Sequence, residues 1–299
     1  MGFAILESEV MVVFRRFIYI FLAFGLSFTF NAKKSVALDT AGSVAFMQGC
    51  IDGAKSKRFY STVKETLSLN GWPPTAVELH FKYQSEVILN PTVLRQLCKD
   101  ATMAVAPNKA LVDQINQEAS QNGGLSKTAL QIMYQSVTRL FAGGLKRLSS
   151  DQLKPYFELT EAMFNQMPRG FCADLWLQNP SPDFNQLMLS TQGLLPIEIQ
   201  KRYLNLVNNA VFAEVNNWPP VTVVEGAEAA QLNSVFGDYL TDYSSRFTNP
   251  HKLALMLNNL EQGTDEEYCD LGRMYYGALK SIPGRDGDRA RKLIIDSLM

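Results

Sequence analysis

The chain has 299 residues, 46% hydrophobic and 19% charged, with 28 basic and 29 acidic residues and only two histidines. That balance belongs to a globular protein and excludes a disordered or fibrous one. A near-neutral chain also lacks the basic stripe that a nucleic-acid partner would require, so none is expected.

Residues 1–37 differ in character from the rest of the chain. Arg15 and Arg16 precede an apolar run of 14 residues, 17–30, broken only by Gly25, Ser27 and Thr29. Crossing a bilayer takes roughly 20 apolar residues, so this run is short for an anchor. It has the length of the apolar segment of a secretory signal peptide. Ser35 and Ala37 set small residues at the −3 and −1 positions of a cleavage site, which makes Leu38 the first mature residue. Lys33 and Lys34 speak instead for an uncleaved anchor, and Met11 is an alternative start, because Glu7 and Glu9 suit a leader poorly. Cleavage leaves 24 basic and 27 acidic residues, a net charge of −3. A periplasmic or secreted location is therefore expected, with no stable membrane insertion after cleavage.

Beyond the leader the apolar period is helical almost throughout. Residues 69–74 (LNGWPP) end one helix, with Gly71 free to take a left-handed cap before Trp72. Residues 77–81 (VELHF) read as a short strand candidate. Asn90-Pro91 places a capping side chain before a proline at the first helical position. Residues 121–124 (QNGG) are a loop. Leu130, Met133, Val137, Leu140 and Phe141 then form an amphipathic stripe with Ser126 as its N-cap, and Gly143-Gly144 read as its end. Ser149 and Gln152 have capping-box spacing, residues 178–183 (QNPSPD) are a loop, and Leu204, Val207, Val211 and Val215 are a second stripe. Residues 215–220 (VNNWPP) echo the first helix stop around Trp218, and 221–224 (VTVV) are the other strand candidate. Asn249-Pro250 repeats the cap-then-proline pattern, and Thr264 and Glu267 the capping box. A third stripe runs through Tyr268, Leu271, Tyr275, Ala278 and Ile282. Arg285, Arg289, Arg291 and Lys292, offset by Asp286, Asp288 and Asp296, read as a solvated face.

The expected fold is therefore all-α, an irregular bundle of about ten helices stapled by disulfides. Its organisation is a signal peptide at 1–37, an N-terminal helical half at 38–145 and a C-terminal half at 146–299, or one continuous domain. Four cysteines, Cys50, Cys98, Cys172 and Cys269, survive cleavage, and an exported chain meets an oxidising compartment, so two bridges are expected. Of the three connectivities, Cys50–Cys98 with Cys172–Cys269 closes the shorter loops. Cysteine spacings of 48, 74 and 97 hold no CxxC, and with His80 and His251 the only imidazoles, neither a metal nor a cofactor is expected.

Catalytic signatures are missing: there is no GxSxG, HExxH, Walker loop or GxGxxG. His80 and His251 read as structural and surface residues. Glu161 and the Glu225/Glu228 pair are the acids that a glycan hydrolase using two carboxylates would draw on. No residue is assigned as catalytic. Trp72 and Trp218, each ahead of a double proline, are the candidate binding residues, because aromatics anchor interface hot spots. The competing role for each is to fold back over its own helix end. The expectation is an exported module that binds another protein, such as an inhibitor or an immunity protein. A peptidoglycan-directed envelope enzyme is one alternative. A carrier of an apolar ligand, given 11 Met and 18 Phe, is the other.

Overall fold

The computed structural model describes residues 40–122, 126–168, 170–177, 184–224, 226–257, 260 and 263–297. The expected signal peptide, Gly123-Gly124, the 178–183 loop and Glu225 lie outside the described residues.

Fourteen helices and no strand occupy the described residues. They are α1 (Thr40–Ala54), α2 (Lys57–Leu69), α3 (Pro74–Ile88), α4 (Pro91–Val105), α5 (Lys109–Gln121), α6 (Lys127–Leu145) and α7 (Ser150–Gln166). Then come α8 (Phe171–Trp176), α9 (Phe184–Gly193), α10 (Ile197–Val215), α11 (Gly226–Ser244), α12 (Pro250–Met256), α13 (Asp265–Ser281) and α14 (Gly284–Ser297). The all-α, disulfide-stapled class expected from the sequence is the one observed. The count exceeds ten partly because α8 and α12 have six and seven residues, too short to show a period.

Local chemistry explains most of the boundaries. Ser149 Oγ accepts from the Gln152 N–H while Gln152 Oε1 accepts from the Ser149 N–H at 2.9 Å, a reciprocal box at the start of α7. Asn90 accepts from the Thr92 and Val93 N–H groups. Asn249, by contrast, makes no capping bond, and α12 starts on its proline alone. The two Trp-Pro-Pro stops are the same motif. Gly71 (φ +79°) and Asn217 (φ +51°) are left-handed, and the N–H groups of Trp72 and Trp218 reach back to Leu67 O and Ala213 O. Each is a Schellman cap with tryptophan as the second residue past the cap.

Neither strand candidate is a strand, and one helix stop read from the sequence is not a stop. Residues 77–81 are helical, within α3: Pro74 opens the helix and Ala76, Val77 and His80 are buried by it, so packing overrides the β-propensity of Val77. Residues 221–224 form no strand and run as an irregular connection. Gly143-Gly144 do not end α6, which continues to Leu145. A Cβ on Gly144 would strike the Ala210 backbone, and one on Gly143 would strike the Glu214 carboxylate. The glycine pair is where α10 crosses α6 at close range.

That crossing organises the molecule. α10 packs on α6 most extensively and also on α3, α7 and α4. α7 carries α13, α14 and α9, and α11 covers α13 and α14. One apolar cluster runs from Ala54 to Ile295. Its aromatic centre stacks Phe164 between Trp176 and Tyr276, at centroid distances of 6.3 and 5.8 Å. Full burial of each such ring contributes roughly 1.5–3 kcal/mol.

Both bridges have the expected pairing. Cys50–Cys98 joins α1 to α4 with Cα atoms 5.7 Å apart, and Cys172–Cys269 joins α8 to α13 at 5.1 Å. The second is reinforced by Trp176 Nε1, which donates to Tyr268 O at 3.0 Å.

The C-terminal basic cluster is only in part the solvated face expected of it: Arg285 and Asp286 are exposed, but Arg291 and Lys292 are buried. Arg291 is 1% exposed; its guanidinium donates to Leu279 O and Ile282 O, to Ser150 Oγ at 2.9 Å and to Asp288. The last carbonyls of α13 have no partners within their helix, and the planar five-donor fork satisfies two of them at once. Lys292 is also buried and donates to Lys146 O.

Candidate functional site

α1 packs chiefly on α4, with the Cys50–Cys98 bridge as its tether, and no residue of it before Ala54 whose exposure is described is fully buried. A cavity of about 400 Å³ lies between α1, α4, α5 and α6. Its α1 wall is Gly42, Phe46, Gly49 and Gly53, residues spaced to share one helical face. A Cβ built on Gly49 or Gly53 meets nothing within 4 Å, so these glycines front open space. Opposite stand Ala101 and Val105 of α4, Val112 and Ile115 of α5, and Ala129 and Ile132 of α6. Most of these belong to a second apolar cluster separate from the main core. Phe46 packs on this cluster, and beside it the α1 wall is formed by glycines that carry no side chain to fill the space.

Protein interiors leave few voids larger than a water molecule, whereas ligand pockets run to about 300–1,000 Å³. This cavity falls in the second class. No charged side chain lines it; Asn116 and Ser126 are its amide and hydroxyl side chains. Ser126 Oγ donates at 2.8 Å to Glu118, whose carboxylate also accepts from Gln114, the Thr128 N–H and Thr128 Oγ1. Partial desolvation pushes the Glu118 carboxyl up, but these four donors outweigh it and hold it down at about 2. The corner between α5 and α6 therefore carries a fixed negative charge beside an uncharged cavity.

The two tryptophans have opposite fates. Trp72 is buried, its ring against Gly193 and edge-on to His80 at 5.1 Å, and its Nε1 donates to Leu189 O at 2.8 Å. It seals α2 and α3 to α9 and presents no face to a partner, which corrects its reading as a binding residue. Trp218 is 71% exposed, with Val221 and Val223 exposed beside it. His80 is a core residue whose imidazole burial pushes down to about 4, and His251 is exposed.

Two of the acids considered for hydrolysis, Glu161 and Glu228, are held by cations. Glu161 pairs with Lys280 and accepts from Tyr243 Oη at 3.3 Å, and Glu228 pairs with Arg289 at 2.5 Å. Among the described residues no three His, Cys, Asp or Glu side chains are grouped to hold a metal, and no helix is long and apolar enough to cross a membrane. Sequence reasoning missed the cavity, although Gly42, Gly49 and Gly53 on one face of an apolar helix were its trace. Comparison with family models, with curated proteins and with solved structures found no match to this chain.

Proposed function

We propose that the chain is an exported, non-catalytic binding protein that carries an apolar ligand between α1, α4, α5 and α6. One observation carries this reading: an uncharged cavity of about 400 Å³ lined mostly by glycine, alanine and branched aliphatic residues, with Phe46 and Met133. The leader-like N-terminus and the two bridges support a periplasmic or secreted setting. The test uses N-phenyl-1-naphthylamine, a neutral probe that brightens in apolar surroundings, with Gly49→Leu and Gly53→Leu. A Cβ at either position meets nothing within 4 Å, so leucine adds apolar bulk at the cavity wall and replaces a helix-interior glycine that costs about 1 kcal/mol. The native chain binds one probe saturably, and each variant loses binding at least about tenfold while melting no lower. A native chain without saturable binding, or variants that bind equally well, overturns the reading.

A second reading, recognition of another protein, is favoured by the exposed Trp218, Val221 and Val223 on the α10–α11 connection. Exposed apolar residues gathered on one segment suit an interface. Cross-linking to a partner that is lost in Trp218→Ala, with probe binding intact, supports that surface as separate from the cavity.

A further inference from the structure

α1 forms one wall of the cavity and is lightly held. Of its residues whose exposure is described only Ala54 is buried, and Val44 is 61% exposed. Its apolar contribution is Phe46 to the second cluster and Met47 and Ile51 to the margin of the main core, all three partly exposed. The Cys50–Cys98 bridge is its covalent tie to α4. Cys50 also lines the cavity, so the link that holds the wall is part of the wall. The Cys172–Cys269 bridge is set differently: both of its residues are buried, and the Trp176 indole bonded to Tyr268 O holds α8 on α13 beside it.

Building on the carrier reading above, we infer that the Cys50–Cys98 bridge is a redox gate on the cavity: intact, it holds α1 in place as a wall, and its reduction by a dithiol frees α1 and releases the apolar ligand. The step is a two-electron exchange. A thiolate of the dithiol attacks Sγ of Cys50, the half-buried partner, forming a mixed disulfide and expelling Cys98 as a thiolate that takes up a proton. The second thiol of the reagent then displaces Cys50, which is protonated in turn, and the reagent leaves as its own cyclic disulfide, having supplied two electrons and two protons. The freed α1 stays joined to α2 through residues 55–56, but Gly42, Phe46, Gly49 and Gly53 no longer face α4, α5 and α6, and the apolar lining of those helices opens to water. Binding and reduction are then coupled, and the coupling is reciprocal: a ligand that prefers the bridged chain makes the bridge harder to reduce.

The experiment measures binding of N-phenyl-1-naphthylamine before and after dithiothreitol treatment that opens Cys50–Cys98 and leaves Cys172–Cys269 closed, as checked by alkylation and peptide mapping. Probe affinity falls at least about tenfold on opening, while far-UV circular dichroism keeps the helix signal of the domain apart from that of α1. In redox buffers of dithiothreitol, saturating probe moves the Cys50–Cys98 potential to more negative values, by about 30 mV for each tenfold difference in affinity, and leaves that of Cys172–Cys269 in place. A chain with both Cys50→Ser and Cys98→Ser reproduces the weak binding without any reductant; should it fail to fold, selective reduction of the native chain decides the matter. Affinity unchanged by opening the bridge, or a Cys50–Cys98 potential unmoved by the probe, overturns the gate and leaves the carrier reading standing. Loss of the whole helix signal on opening that one bridge also overturns it, because the bridge is then a general staple. Failure of the untreated chain to bind the probe removes the carrier reading, and the gate with it.

Discussion

Replacing Trp72 by alanine should cost far more than the same change at Trp218, although both residues occupy the same position of the same helix-ending motif. Trp72 is 4% exposed, its ring occupies the space that a Cβ on Gly193 would need, and it spans 117 residues of sequence to reach Leu189 O. Truncating a buried tryptophan costs about 3–5 kcal/mol through lost transfer energy and the hole left behind. The lost indole hydrogen bond adds about 1 kcal/mol, offset where water reaches the freed carbonyl. The expected total is about 4 kcal/mol. At roughly 2–4 °C per kcal/mol for a chain of this size, melting falls by about 8–16 °C. Trp218, 71% exposed, should change stability by less than about 0.5 kcal/mol. Urea titration followed by far-UV circular dichroism measures both, since fluorescence is altered by the mutations themselves. A Trp72→Ala cost below about 1 kcal/mol, or one equal to that of Trp218→Ala, would refute the packing argument.

His80 gives a pH prediction. Burial holds the folded imidazole at about 4, below its ordinary 6.5, so the unfolded chain takes up a proton that the folded one refuses. Its contribution is complete above pH 6.5 and is lost as pH falls towards 4, by up to about 1.4 kcal/mol per pH unit. His80→Gln should flatten the slope between about pH 6.5 and 5, above the range where Glu118 titrates; urea midpoints with parallel slopes in both chains would count against it. The bridges should also open in order. Cys50 is half-buried, whereas Cys98, Cys172 and Cys269 are buried, so a mild thiol reaches Cys50–Cys98 first. Timed alkylation and peptide mapping that found Cys172 and Cys269 labelled earlier would contradict the exposure of the α1 tether.

What the sequence by itself determined is what depends on neighbours along the chain. The Ser149 and Asn90 caps, the left-handed Gly71 and Asn217 and the stripe through Tyr268, Leu271, Tyr275 and Ala278 are set by contacts within about one to two turns, and all were legible. The bridge pairing was legible too, because short loop closure favoured it. Only the tertiary structure decided the features that depend on a distant surface. Gly143-Gly144 have the local pattern of a stop, but Ala210 of α10 is pressed against them; Arg291 has the pattern of a solvated residue, but the end of α13 needs its donors. Trp72 and Trp218 share a motif but not a neighbour: α9 lies over one and not over the other. The cavity is the extreme case, drawn from four helices between residues 42 and 133. A void is made by side chains that fail to meet, and a local sequence pattern records only the residues on one side of the gap.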